Sequence, residues 1–272
     1  MTADLAVEDP DFELRDTRTH VQLKGDYERV LAARQADLRR LQLACMNRRE
    51  RCVLIFEGWD AGGKGGAIRR MGAVLEPRAM AYWSIGPPRP RWHGRHYLER
   101  FWPRLPEPGN WAVFDRSWYG RVLVERVEQL APDSAWQRAY REINDFERML
   151  LDDGVRIAKL FMHISPQEQL NRFGKRLEKP EKRWKITVDD IRNWEKREAY
   201  EAAVTDMVRR TSTPRAPWHV IPADSKKYAR VKAMEVVYNV LSDGLDLTLP
   251  ELDGETARAL RDRLGLVLPD DI

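Results

Sequence analysis

The segment Glu57-Gly58-Trp59-Asp60-Ala61-Gly62-Gly63-Lys64-Gly65-Gly66 decides the fold, because it predicts a turn between a strand and a helix. Gly58, Gly63 and Lys64 fit the pattern GxxxxGK. Loops of this pattern bind phosphate oxygens through backbone N–H groups, the N-terminus of the following helix and the lysine ammonium. An ordinary glycine-rich turn is the alternative, but the apolar run 51–57 before the loop and the position of Lys64 favour phosphate binding.

Predicted strands and helices alternate along the rest of the chain. Apolar runs predict strands at 51–57, 79–85, 111–115, 155–164 and 218–222. Apolar residues at helical spacing predict helices at 21–48, 63–75, 93–105, 120–130, 134–153, 167–177, 188–211 and 226–245. This alternation is typical of an α/β fold with a doubly wound, mostly parallel sheet, here of five strands, with helices on both faces. We expect one domain at 21–245, preceded by an acidic arm at 1–20 and followed by a polar tail at 246–272 with one weak helix.

Composition excludes several classes of protein. The chain has 272 residues, with 47 Lys and Arg against 43 Asp and Glu, and no stretch of about 20 apolar residues that could span a membrane. The acidic N-terminus does not resemble a signal peptide, and two cysteines cannot build a disulfide framework. We therefore expect a protein of the reducing cytoplasm. Charge is uneven, because residues 174–185 hold six basic and two acidic side chains.

Two aspartates are candidate metal ligands. Gly65 stands where such loops usually carry a Ser or Thr that binds Mg²⁺, so a metal needs another protein ligand. Asp60 lies inside the loop, where a carboxylate repels phosphate unless a cation lies between them. Asp115 ends the apolar run 111–114, and an acid at the carboxyl end of a strand is a hard oxygen ligand for Mg²⁺. A helix cap is the alternative interpretation of Asp115, but the glycine-rich loop favours the metal role.

Two arginines follow the second aspartate. Arg116 and Arg121 suit the stabilisation of charge on a transferring phosphoryl group, although surface ion pairs are the alternative. Ser117 is predicted to cap the next helix. The five histidines form no metal-binding pattern, and His163 is predicted to be a core residue.

These motifs together resemble the polyphosphate kinase 2 family. The resemblance rests on residues 58–66 and on Phe-Asp-Arg-Ser-Trp-Tyr-Gly-Arg at 114–121. It continues through 121–127, Glu-Ile-Asn-Asp-Phe-Glu at 142–147, Lys-Arg-Trp-Lys-Ile-Thr at 182–187 and 211–218, and so covers roughly residues 25–240. The set is specific, although the phosphate loop alone is not.

The resemblance implies a P-loop kinase fold with a helical lid at about 172–190, Mg²⁺ with Mn²⁺ as an alternative, and a homo-oligomer, either a dimer or a tetramer. By similarity, Asp60 and Asp115 hold the metal, and Lys64, Arg116 and Arg121 act on the transferring phosphates. The implied phosphate- and nucleotide-binding residues are Gly58, Ala61, Gly62, Gly63, Gly65, Gly66, Arg69, Arg70, Lys175, Arg176, Lys182 and Arg183.

The resemblance further implies phosphoryl transfer between inorganic polyphosphate and a nucleotide. Residues 199–214 look most like the branch that phosphorylates AMP, whereas a single copy of the domain resembles members that use ADP or GDP. Segment 85–95 departs from the family, because Gly-Pro-Pro-Arg-Pro-Arg-Trp-His-Gly-Arg replaces an acidic stretch. An ATP-dependent nucleoside monophosphate kinase is a weaker alternative, and a nucleic-acid-binding protein is weaker still.

Overall fold

Six strands form one sheet in the computed structural model, which describes residues 5–7 and 9–266. The strands are β1 (Ala6–Val7), β2 (Arg51–Gly58), β3 (Met80–Ser84), β4 (Trp111–Asp115), β5 (Val155–His163) and β6 (Trp218–Pro222). Their order is β1-β6-β5-β2-β4-β3, and every neighbouring pair except β1 and β6 is parallel. The doubly wound α/β fold predicted from the sequence is therefore confirmed.

Ten α-helices surround this sheet in the described part of the chain. The contacts place α1, α2 and α9 on one face and α4 and α8 on the other. The helices are α1 (Tyr27–Arg48), α2 (Lys64–Gly72), α3 (Val124–Val127), α4 (Asp133–Asp152), α5 (Pro166–Leu177), α6 (Pro180–Arg183), α7 (Val188–Glu195), α8 (Arg197–Thr211), α9 (Lys226–Ser242) and α10 (Gly254–Leu264).

The predicted number of five strands is wrong by one, because the acidic arm contributes β1. Ala6 and Val7 pair antiparallel with His219 and Trp218 of β6. Two residues are too few to show a strand period in the sequence. The arm also contributes Leu14, which is fully buried and whose backbone N–H donates to Thr205 Oγ1 at 3.2 Å.

Two predicted helices are absent or much shorter. Residues 93–105 form turns and a 3₁₀ helix at Trp102–Arg104, because Pro103 has no backbone N–H to continue an α-helix. Residues 120–130 form the end of a 3₁₀ helix, Trp118–Arg121, and the single turn α3. The predicted helix 188–211 is two helices, which meet at Lys196.

The register places the carboxyl ends of the central strands side by side. Asp115 at the end of β4 is paired with Phe56 of β2 on one side and with Ser84 of β3 on the other. Since β2 continues through Gly58 into the glycine-rich turn, this turn and Asp115 lie at the same edge of the sheet. In open α/β sheets, ligands bind at this edge.

Candidate active site

The loop between β2 and α2 has a backbone that only glycine fits at its first position. Gly58 has a φ of +139°, and a Cβ atom there would lie 2.5 Å from the carbonyl oxygen of Met162. Gly62 is similarly constrained, because its Cβ would lie 2.7 Å from the carbonyl oxygen of Trp59. The loop closes through a 2.8 Å hydrogen bond from the Gly62 N–H to that same oxygen. Helix α2 then begins at Lys64, so its free N–H groups face the loop.

Lys64 is buried inside this loop. Its ammonium group donates to the carbonyl oxygens of Gly58, at 2.7 Å, and Trp59, at 3.1 Å. These contacts bring the predicted lysine to the loop. To bind a phosphate, the ammonium group would donate its third N–H to the phosphate or break one of these two hydrogen bonds.

Asp60 is held by two donors, one on each carboxylate oxygen. Arg116 donates to Oδ1 at 2.6 Å and Asn193 donates to Oδ2 at 2.8 Å. Burial favours a raised pKa for Asp60, but the charges of Arg116 and Lys64 and the hydrogen bond from Asn193 outweigh it and lower the pKa. Asp60 is therefore an anion whose negative charge faces the loop.

Asp115 is the less constrained of the two predicted metal ligands. Its Oδ2 accepts a hydrogen bond from the Tyr82 hydroxyl at 3.1 Å, and Oδ1 accepts none from the part of the chain that the structure describes. Gly65 leaves space beside it, since a Cβ there would lie 3.9 Å from Oδ2. Both Asp60 and Asp115 act on Arg116, where burial lowers the pKa but the charges of Asp60, Glu57 and Asp115 raise it overall.

This donor set suits a hard divalent cation. The described residues contain no group of three or more His, Cys, Asp and Glu side chains that could hold a metal ion. Two carboxylates at the edge of the sheet are nevertheless the type of protein contribution that Mg²⁺ uses, because it retains several waters and binds substrate phosphates. Asp115 offers a free oxygen, whereas Asp60 would share its oxygens with Arg116 and Asn193.

The two arginines of the second motif occupy different places. Arg116 has a φ of +64°, which is uncommon for a side chain with a Cβ, and this backbone brings its guanidinium to Asp60. Arg121 pairs with Glu125 at 3.0 Å and lies 4.6 Å over the ring of Tyr97. Its Nε is buried without an acceptor in the described structure, so Arg121 has a free donor.

The basic residues predicted for the lid differ in how they are held. Lys175 and Lys182 are exposed. Arg183 donates to the carbonyl oxygen of Leu177 at 2.8 Å. Arg176 donates to that of Lys185 at 3.1 Å, and its pKa is lowered by burial although Asp190 and Asp60 oppose the shift. The charges of Arg176 and Asp60 thus interact.

The two arginines predicted to extend the phosphate track both lie on α2, but their side chains have different surroundings. Arg69 is exposed. Arg70 donates to the hydroxyl of Tyr27 at 3.1 Å and to the carbonyl oxygen of Gly66 at 3.1 Å. Arg70 therefore ties α2 to α1 rather than standing free.

Sequence reasoning missed Arg172, the buried side chain that fixes the loop. Its guanidinium donates to the carbonyl oxygens of Ala61 at 2.8 Å and Gly62 at 3.0 Å. It also donates to those of Ala223 at 2.5 Å and Asp224 at 3.0 Å. Its position just before the basic run 174–185 gave no signal, because a buried and an exposed helix arginine look alike in sequence. Tyr82 and Asn193, the partners of the two aspartates, were also missed, because each contacts its aspartate from a distant part of the sequence.

The parallel sheet, the glycine-rich loop before α2 and the aspartate at the end of β4 define a kinase-like α/β fold of the P-loop class. The family model for polyphosphate kinase 2 matches residues 22–245. The chain therefore belongs to the polyphosphate kinase 2 family.

Similar proteins carry related names. A Pseudomonas syringae pv. tomato protein named polyphosphate:AMP phosphotransferase is 48% identical over 218 residues, which are 80% of this chain and 44% of that protein. A Meiothermus ruber protein named AMP/ADP-polyphosphate phosphotransferase is 38% identical over 88% of this chain and 90% of its own length. The chain thus spans about half the length of the AMP-named relative but nearly the whole of the other.

Solved structures agree with the fold. A polyphosphate kinase 2 from Arthrobacter aurescens superposes with a TM-score of 0.87 at 31% identity, over 94% of each chain. A putative polyphosphate kinase 2 from Pseudomonas aeruginosa gives a TM-score of 0.82 at 43% identity, over 85% of this chain and 50% of that one.

No helix in the described residues is long and apolar enough to cross a membrane.

Proposed function

We propose that this chain transfers the terminal phosphoryl group of inorganic polyphosphate to AMP and so produces ADP. The observation that carries the proposal is the meeting of Lys64, Asp60, Arg116 and Asp115 at one edge of the sheet. The 48% identity to a protein named polyphosphate:AMP phosphotransferase supports AMP as the acceptor.

In this proposal a phosphate oxygen of AMP attacks the terminal phosphorus of the polyphosphate. The bond from that phosphorus to its bridging oxygen breaks, and the polyphosphate leaves one unit shorter. Lys64, Arg116 and the N-terminus of α2 neutralise the negative charge that spreads over the transferring group. No covalent intermediate with the protein is required, because the acceptor already carries the attacking oxygen.

Asp60 and Asp115 are proposed to hold the divalent cation, Mg²⁺ or Mn²⁺. Held by these two residues, the cation would supply positive charge that offsets the repulsion between the carboxylates and the phosphates. Arg116 and Asn193 keep Asp60 ionised and oriented at the loop. The Tyr82 hydroxyl donates a hydrogen bond to Asp115 and so orients its carboxylate.

The remaining basic residues are proposed to bind the phosphate chain. Residues 172–190 would form a lid over it, and the positive charge of this lid would come from Lys175, Arg176, Lys182 and Arg183. A cytoplasmic homo-oligomer, dimer or tetramer, belongs to the same proposal and rests on the family resemblance.

A second acceptor class is favoured by specific relatives. A Rhizobium meliloti protein named ADP-polyphosphate phosphotransferase 2 is 37% identical over 83% of this chain, and the Meiothermus ruber relative is named for both AMP and ADP. Transfer to ADP or GDP is therefore the alternative.

The test uses the purified full chain with Mg²⁺ and polyphosphate, and offers AMP, ADP and GDP separately. We expect ADP from AMP, measured by chromatography, and no ADP when ATP replaces polyphosphate in a short initial-rate assay. Product from ADP or GDP alone would select the alternative, and no product from any acceptor would refute the proposal. A rate that depends on ATP would instead indicate an ATP-dependent nucleotide kinase.

A further inference from the structure

Segment 85–104 carries a concentration of positive charge that the proposed chemistry does not use. It contains five arginines and one glutamate. Turns and two 3₁₀ helices, Pro90–Trp92 and Trp102–Arg104, replace the predicted helix and bring these arginines to one surface. We call this surface the arginine cluster; its members are Arg89, Arg91, Arg95, Arg100 and Arg104.

Aromatic rings lie beside four of these arginines. The guanidinium carbon of Arg100 lies 4.9 Å from the centre of the Phe101 ring. The guanidinium carbons of Arg91 and Arg95 lie 5.1 Å and 5.9 Å from the centre of the Trp92 ring. The guanidinium of Arg104 lies 5.4 Å from the centre of the Trp83 ring. These contacts fall within the range of cation–π attraction. Trp92 thus lies beside two guanidinium groups.

The positive charge of the cluster is mostly uncompensated. Among the described residues, Arg95 is the one member with an ion pair, to Glu99 at 2.5 Å. Burial, followed by the charges of Arg91 and Arg89, lowers the pKa of Arg104. The positive charge of the cluster therefore favours the binding of an anion.

Three members of the cluster, Arg89, Arg100 and Arg104, line a cavity of about 80 Å³ together with Ser84, Gly86 and Trp92. Arg91 and Arg95 line a second cavity of about 270 Å³, which also has Trp92 in its wall. Pockets for drug-sized molecules usually begin at about 300 Å³. Both cavities lie below this size, and the smaller one suits a small charged group such as one phosphate.

The position of the cluster connects it to the candidate active site. Ser84, in the wall of the smaller cavity, is the register partner of Asp115, and the N–H of Ile85 donates to the Asp115 carbonyl oxygen at 3.0 Å. The charge of Arg121 contributes to the lowered pKa of Arg100, so positive charge continues from Arg121 into the cluster. The predicted lid follows β5, on the other side of β2 from β4 and β3.

We propose that the arginine cluster is a second binding site for a linear inorganic phosphate chain, outside the transfer site, which holds long chains while their end is used. This inference rests on polyphosphate as the substrate of the proposed function. Unlike the lid, the cluster would bind the polyphosphate on the β3 side of Asp115. It should therefore affect only chains long enough to reach both places.

The test compares Arg89→Gln/Arg91→Gln with Arg148→Gln/Arg215→Gln. Arg89 and Arg91 are exposed and have no ion pair among the described residues. Arg148 and Arg215 are 60% and 56% exposed and lie beside Asp152, at the end of α4 before β5 starts. Both double variants lose two positive charges, so net charge is matched.

Binding of long-chain polyphosphate and of tripolyphosphate is measured directly at several salt concentrations. For the cluster variant we expect about tenfold weaker binding of the long chain. We also expect a salt slope reduced by about 1.4, taken as about 0.7 for each lost phosphate contact. Tripolyphosphate binding and the control variant should match the unchanged protein.

Each other outcome overturns the inference in an identifiable way. Equal loss for tripolyphosphate would place the arginines in the transfer site, and no loss for the long chain would remove them from binding. The cluster would instead be a nucleic-acid-binding surface if RNA of similar length bound more tightly than polyphosphate and the same variant lost this RNA binding. Because binding is measured without an acceptor nucleotide, failure of AMP phosphorylation leaves the result interpretable.

Discussion

A buried ion pair beside the second motif offers a sharp test of how the site is held. Lys159 of β5 and Glu147 of α4 are 0% and 2% exposed, and their charged atoms lie 2.8 Å apart. Lys159 also donates to the Tyr119 hydroxyl at 3.1 Å and to the Thr211 carbonyl oxygen at 2.7 Å. Glu147 accepts from Trp118 and Tyr119, at 3.0 Å and 2.7 Å. The pair therefore anchors the 3₁₀ helix Trp118–Arg121, which follows Arg116 and contains Arg121.

Lys159→Met should lower the free energy of unfolding by about 3–5 kcal/mol, because it leaves a buried carboxylate without its cation. Glu147→Gln in the same protein should restore part of this loss. The glutamine oxygen can still accept from Trp118 and Tyr119, and no charge remains buried. We expect the double variant to be at least about 2 kcal/mol more stable than the sum of the single losses predicts.

Urea unfolding of the four proteins measures this cycle through the midpoint and the slope. The matched control is Arg138→Met and Glu142→Gln, a pair with the same 2.8 Å separation whose arginine is 55% exposed. Its cycle should give a coupling of about 0.5 kcal/mol or less. Additive losses for Lys159 and Glu147, within about 0.5 kcal/mol, would refute the reasoning that an unpaired charge drives the effect.

Three further predictions concern the candidate site. Asp115→Asn should reduce phosphoryl transfer about 100-fold or more, as loss of a preorganised electrostatic group does, with an unchanged melting temperature; retained turnover would contradict its role as a metal ligand. Asn193→Ala removes a hydrogen bond to the ionised Asp60, so urea unfolding should show a loss of about 1.5–3 kcal/mol, and Asn193→Asp a larger one; equal stability of all three proteins would argue against the contact. Burial, and then the charge of Arg197, lowers the pKa of His163 from 6.5 to about 4. Since the unfolded chain then binds the proton first, the free energy of unfolding should fall as the pH drops from 6.5 towards 4, by about 3 kcal/mol, whereas His163→Gln should show a flatter profile.

The central sheet and the loop could be predicted from the sequence because each has a strong local signal. Within the predicted strand 51–57, residues 52–56 are continuously apolar, and the strand is followed by glycines whose backbone conformations few other residues can adopt. The start of the predicted helix 188–211 is also confirmed, because α7 begins at Val188 and the Thr187 side chain caps it by accepting from the Asp190 N–H.

Other parts depend on contacts that are distant in sequence. Arg172 fixes the loop from a position 110 residues beyond Gly62, and nothing local distinguishes it from its exposed neighbours. The break at Lys196 lets α8 start with Arg197, whose guanidinium lies 4.0 Å from the centre of the Trp59 ring. Helical periodicity predicts neither feature, because it records which face is apolar and not what packs against it.

The short strand β1 has a consequence for how the protein behaves in solution. Exposed strand edges present unpaired backbone groups that can template association with other chains. Ala6 and Val7 occupy part of the outer edge of β6, and the Ser212 hydroxyl bonds to the Val7 carbonyl oxygen. Phe12 and Leu14 bury their side chains and hold this segment against the domain. Removal of the acidic arm would therefore uncover β6, and aggregation should follow even where the transfer chemistry is left untouched.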